Sequence, residues 1–184
     1  MPLGTNPVLT RTTTPAPTML KSTTEIPLEL PFFEDFSDPS PYPGTGRWSD
    51  HDAFINHDYA VNPPSIGVAT LDAIDARGAL YPQATIAPST FDADRLTSHP
   101  IQLDYLPSDS LYLSFFFQPM GNGLQPEPGD SLCLDFYDPD TDQWTVIWNT
   151  PGDTLRPFRQ VMIPITDNRF LKEGFRFRFR NKIG

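Results

Sequence analysis

The side chains in this sequence best suited to chemistry are carboxylates and histidines, and they fall in short clusters. Asp138-Pro139-Asp140-Thr141-Asp142 has the spacing that opens an EF-hand calcium loop. Gln143 stands where that loop needs glycine, and Asn149 where it needs its closing bidentate acid, so a hairpin turn is the expected role. Glu34, Asp35 and Asp38 form a second group of hard oxygen donors suited to calcium. Asp50-His51-Asp52 and His57-Asp58 lie close in sequence, but zinc needs three or four convergent ligands and the chain has 3 His and 1 Cys. No Gly-x-Ser-x-Gly elbow occurs. Cys133 has no histidine pattern beside it and reads as a structural or semi-exposed thiol. Asp135 is a lone strand-centred acid, expected at an exposed polar position. Trp48, Tyr59 and Tyr81 lie outside the clear strands, where flat rings could stack on a pyranose. These residues make no catalytic constellation, and a non-enzymatic protein is expected.

Composition narrows the architecture that must position them. Of 184 residues 22 are Pro, about 12 per cent against an average near 5. Each proline costs roughly 3 kcal/mol inside a helix, which excludes a helical bundle. One cysteine excludes an internal disulfide framework. The net charge of −10 argues against a nucleic-acid surface, which needs clustered Lys and Arg. No apolar run approaches the roughly 20 residues that span a bilayer as a helix.

Charge and proline divide the chain into three parts. Residues 1–31 hold six Pro and eight Thr, are neutral, and predict an extended or poorly structured arm. They contain no basic start followed by an apolar block, as a secretory signal would. Residues 32–166 carry five basic and 19 acidic residues, a net of −14. Residues 167–184 carry six basic and two acidic, a net of +4.

Strict alternation predicts strands in the body. Leu111, Leu113, Phe115 and Phe117 share one face of a strand at 110–117, and Phe116 between them suggests cover on both faces. Leu132, Leu134 and Phe136 share a face at 130–137, opposite Ser131, Cys133 and Asp135. Trp144, Val146 and Trp148 make a third set, with both tryptophans expected in the core, and Val161, Ile163 and Ile165 a fourth. In residues 174–180 the Phe residues face a core and the Arg residues face away. Shorter strands are expected at 66–71 and 101–105. Turn signals between them include Asn62-Pro63-Pro64-Ser65, Pro128-Gly129-Asp130 and Pro151-Gly152-Asp153. The reading is all-β: an antiparallel β-sandwich over 32–184, with long loops at 37–65 and 118–129 suited to recognition or to covering a sheet edge.

The residues also resemble a known group. Phe32-Phe33-Glu34-Asp35-Phe36, Trp48, Pro63-Pro64-Ser65-Ile66-Gly67-Val68-Ala69-Thr70-Leu71-Asp72-Ala73, Leu96-Thr97-Ser98, residues 109–119, Gly129-Asp130-Ser131-Leu132 and residues 174–181 follow, in order, the pattern of exported Bacteroidota envelope proteins. Their domain is similar to the jelly-roll sandwich of MAM and laminin-G, or concanavalin-like, modules. The resemblance implies an exported protein of the periplasm or cell surface, associated with the outer membrane. It further implies a non-enzymatic protein-interaction module, an accessory or plug-like component of the type IX secretion translocon or gliding apparatus. Calcium near the first strand of such modules would fall on Glu34 and Asp35. The glycoside hydrolases of this fold place their acids as Glu-x-Asp-x-x-Glu, a run missing here. The alternative is a carbohydrate-binding or adhesion module, calcium-stabilised, with Trp48, Tyr59 and Tyr81 as ligand contacts. Similar domains continue past the Phe-Arg-Phe-Arg-Asn strand, so the expectation is a jelly roll lacking its final strand, which downstream sequence or another chain supplies.

Overall fold

A computed structural model describes residues 6–11, 26–86 and 90–184. Most of the expected N-terminal arm lies outside these residues. The described part includes a single helical turn, α1 (Pro7–Arg11), where extended chain was expected. It starts beside Asn6, whose side-chain Oδ1 accepts from Val8 N at 3.0 Å and whose backbone N donates to Gly78 O at 3.0 Å. Among the described residues no helix is long and apolar enough to cross a membrane.

The rest is nearly all β, and every strand-to-strand ladder is antiparallel. In chain order the strands are β1 (Phe54–Asn56), β2 (Val68–Thr70), β3 (Phe91–Thr97), β4 (Ile101–Gln102), β5 (Tyr112–Phe117), β6 (Ser131–Asp138), β7 (Gln143–Pro151), β8 (Arg159–Pro164) and β9 (Glu173–Ile183). The main sheet runs β3-β9-β6-β7, with β4 also on β9. Among the described residues β5 pairs only with β8, and β1 only with β2. The alternating segments all form strands near the expected bounds. β1 and β3 escape the alternation rule, because Asp92, Asp94 and Arg95 interrupt the apolar pattern in β3 and β1 is three residues long. The 138–142 carboxylates occupy the β6–β7 hairpin, where Asp142 takes a positive φ of 55°.

The register of β6 against β9 sorts side chains by size and charge. Leu134 faces Phe179 and Phe136 faces Phe177, which puts these apolar residues on the inner face. Phe175, Phe177, Leu134 and Phe136 are all buried there. Over them lies the β5–β8 pair: the Phe115 ring packs edge-on to Trp148 and Phe179, with centroids 5.2 and 4.8 Å apart. Aromatic edge-to-face pairs of this kind add about 0.5–1.5 kcal/mol beyond the area they bury.

The outer face differs from the expectation in three places. Asp135, expected to be exposed, is 1% exposed. Its Oδ2 accepts from Arg178 Nη2 at 2.7 Å and from Arg180 Nε at 2.7 Å, while Arg180 Nη1 donates to Asp92 Oδ1 at 2.7 Å. The arginines of β9 are long enough to cover the carboxylate they neutralise. Trp144, expected in the core, joins this outer layer because a β-bulge separates Leu134↔Trp148 from Asp135↔Val146. One extra residue reverses the facing of the side chains beyond it, so Trp148 points inward and Trp144 outward. The Arg178 guanidinium lies 4.2 Å from the Trp144 ring centroid. Phe116, expected to be covered, is 51% exposed.

The chain Asp92–Arg180–Asp135–Arg178–Trp144 thus crosses all four main strands. Removing the central acid takes a carboxylate partner from two guanidinium groups in a partly buried layer and leaves Arg180 with Asp92 alone. Asp135→Ala is therefore expected to destabilise the fold by about 3–5 kcal/mol, and Asp135→Asn, which keeps an acceptor, by less. Denaturant unfolding monitored by circular dichroism measures both.

Candidate functional site

Two features stand out beside the sheet: a buried carboxyl group behind Tyr81, and an open cleft between the two layers.

The carboxyl group is Asp94, which lies where the register of β3 against β9 shifts between Asp92 and Arg95, so that it and its neighbour Ala93 are both buried. It is 0% exposed. Asp72 N donates to its Oδ2 at 2.7 Å, and the Tyr81 hydroxyl donates to its Oδ1 at 2.9 Å. Burial pushes the Asp94 carboxyl up to about 9, against two hydrogen bonds that favour the charged form. Burial also pushes Asp72 up to about 6, although Ile74 N hydrogen-bonds it. The Tyr81 hydroxyl is raised by burial and by the neighbouring acid. At neutral pH Asp94 is therefore a neutral acid that ties β3 to the Asp72–Tyr81 turn.

The cleft lies between the main sheet and the β5–β8 pair, with a volume of about 2190 Å³. Its floor includes Leu96 of β3 and Phe175, Phe177 and Phe179 of β9. One wall is residues 30–36 and the other is the whole of β5, whereas residues 159–164 of β8 do not reach it. The backbone of residues 31–34 makes no backbone hydrogen bond among the described residues. On β5, Ile165 N donates to Leu111 O at 2.9 Å. Antiparallel bonding alternates, so Leu111, Leu113, Phe115 and Phe117 bond to the β8 side and Tyr112, Ser114 and Phe116 turn their N–H and C=O groups to the opposite edge. Among the described residues no strand pairs with that edge.

Close backbone approaches hold the walls. Gly67 N donates to Asp35 O at 2.9 Å, and a Cβ at Gly67 would lie 2.2 Å from Phe36 O. Leu28 bridges Ile101 in parallel, and Gln102 N donates to Leu28 O at 2.9 Å, which anchors the 30–36 wall to the sheet edge. Beyond β5, the Gln118 side chain bonds both Val61 N and Val61 O, at 2.9 and 3.1 Å, and Asn122 N donates to Tyr59 O at 2.6 Å. The two long loops of the sequence are thus tied to each other at one end of the cleft.

The residues singled out in the sequence occupy separate places. Trp48 is 3% exposed, packed between Phe32, Phe36 and Phe177. Its Nε1 donates to Glu34 Oε2 at 3.0 Å, while Phe36 N donates to Glu34 Oε1 at 2.9 Å. Asp35 Oδ1 accepts from Ser37 N at 3.1 Å, and hydrogen bonding from Ser37 lowers its carboxyl below the usual range. Glu34 and Asp35 therefore both accept from backbone N–H groups inside the 32–37 segment, and Glu34 also ties that segment to Trp48. Among the described residues no group of three or more His, Cys, Asp and Glu side chains is arranged to hold a metal ion. The Tyr81 ring packs on Phe91 and its hydroxyl on Asp94. Of the three aromatics named as ligand contacts, only Tyr59 is exposed, with its ring edge against Phe54. Cys133 is buried beside Ser131.

Sequence reasoning missed Asp94 because it lies in a strand hidden by its own charges, at a register shift that no local pattern marks. It missed the β5 edge because pairing partners are not written in alternation.

Fold and site together define an all-β protein of antiparallel sheets with an open, largely apolar cleft between its layers. Comparison of the chain with protein-family models, curated proteins and solved structures finds no match.

The buried acid gives a pH signature. The Asp94 pKa is raised in the folded state, so its stability contribution is complete below the unfolded value of 3.8 and is lost as pH rises towards about 9. Asp72 adds a loss in the same direction between 3.8 and about 6. Thermal unfolding from pH 4 to 9 is expected to show a falling Tm, and Asp94→Asn, unable to ionise, to flatten that fall above about pH 6.

Proposed function

We propose that this chain is a non-enzymatic protein-interaction module that binds its partner through the interlayer cleft. The observation that carries this reading is that the β5 edge and the 31–34 backbone, both unpaired among the described residues, line one cleft with an aromatic floor. Exposed apolar surface of this extent marks recognition in water-soluble domains, and unsatisfied strand edges are templates for another chain. The acids that could have served chemistry have structural duties that support the same reading: Asp135 holds two arginines, Glu34 holds Trp48, and Asp94 sits behind Tyr81.

The sequence resemblance supplies the setting. It supports a jelly-roll module of an exported Bacteroidota protein, at the periplasm or cell surface, working as an accessory or plug-like component of the type IX secretion translocon or gliding apparatus. The carbohydrate reading has less support, because sugar stacking needs an accessible ring and Trp48 has no open face. Tagged protein solubilised from native membranes is expected to copurify with outer-membrane secretion components. Recovery solely as free secreted protein, with no bound partner, would overturn the reading.

A further inference from the structure

We infer that the cleft takes an extended segment of another polypeptide as an added β-strand between β5 and residues 30–36, and that this segment alternates apolar residues and carries basic side chains at its ends. The inference rests on the interaction-module reading above and specifies the partner's chemistry.

Three observations define the occupant. First, the N–H and C=O groups of Tyr112, Ser114 and Phe116, unpaired among the described residues, repeat every second residue along β5, which only another extended backbone can match. A helix satisfies its own backbone groups and would leave these unpaired. Second, the floor is apolar while solvent lies above, so a strand seated there must alternate, with every second side chain pointing down onto Phe177 and Phe179. Phe33 and Phe116, 67% and 51% exposed on the two walls, gain cover from such a strand. Third, the Asp, Glu, Lys and Arg side chains lining the cleft are all acidic. Glu34, Asp35, Asp72, Glu127 and Asp130 line it, and no Lys or Arg does among the described residues. Basic ends on the incoming segment complement this field and steer its approach, while acidic ends are repelled.

The test uses the full chain and synthetic peptides of about nine residues, an ordinary strand length. A peptide alternating Val and Thr with Lys at both ends is titrated by isothermal calorimetry, beside the same peptide ended in Glu. Two further Lys-ended peptides carry N-methyl groups on one or the other alternate set of backbone nitrogens. The Lys-ended peptide is expected to bind more tightly than the Glu-ended one. N-methylation of the set facing β5 is expected to weaken binding roughly thirtyfold, the value of two lost hydrogen bonds. Ser114→Pro, which removes a donor from the free edge, is expected to weaken the unmodified peptide in the same direction while its circular dichroism stays that of a β-protein.

Several results would overturn the inference: no binding by any peptide, equal binding whatever the end charge, or binding that survives both N-methylated sets. Self-association of the chain that the Lys-ended peptide does not displace would overturn it too. Native partners that copurify equally with wild-type and Ser114→Pro protein would sink the added strand and leave the interaction module standing. A chain that copurifies with nothing removes both.

Discussion

β9 is the constraint on which the rest of the structure depends. It pairs with β3 and β4 on one side and β6 on the other, and its phenylalanines and arginines alternate without a break from Phe175 to Arg180. A slip of one residue against β6 would bring guanidinium groups to the aromatic core and phenyl rings to Asp135. The buried ion pairs need not add net stability, since desolvation offsets much of their attraction. Their geometric demand is strict: two arginines of one strand must reach a single carboxylate of the next, and one of them must also reach Asp92. Register is thereby specified from both faces at once.

The two layers are unequal as a result. The main sheet has β9 at its centre and is broad enough to present a continuous inner face, while the opposite layer has the β5–β8 pair and, apart from it, β1–β2 and the irregular 30–36 segment. Phe32, Phe36 and Trp48 fill one part of the space, and Phe115, Phe117 and Trp148 fill another. The cleft lies between these two aromatic clusters. Its walls are held by side-chain and backbone bonds that do not involve the cleft's own lining edge, so the opening is a built part of the architecture.

Much of this was legible in the sequence because alternation reports burial directly. The Phe-Arg-Phe-Arg run gave β9 and its two faces, and the Leu-Cys-Leu-Asp-Phe pattern gave β6. What escaped was decided by events between strands. A single bulge in β7 separates Trp144 from Trp148, and no local pattern marks it. Asp135 looked exposed because its partners lie 43 and 45 residues away. Asp94 was hidden because a charged residue is normally read as a surface residue, whereas here it is buried in neutral form. Trp48 and Glu34, read separately as a sugar platform and a metal ligand, are hydrogen-bonded to each other.

The late position of β9 in the chain also sets the order in which the molecule can assemble. β3 and β6 flank β9 in space but precede it in sequence, and the Asp92–Arg180 contact spans 88 residues. Until β9 has left the ribosome, β3 has no neighbour in its sheet and the inner face has no centre. The β6–β7 hairpin and the β5–β8 pair around it can form earlier and meet through Phe115, Phe117 and Trp148, but two-stranded ribbons are marginal in water. Closure of so many distant contacts is intrinsically slow. The main sheet therefore stays incomplete until β9 has been made, and closes when that single strand enters between two others.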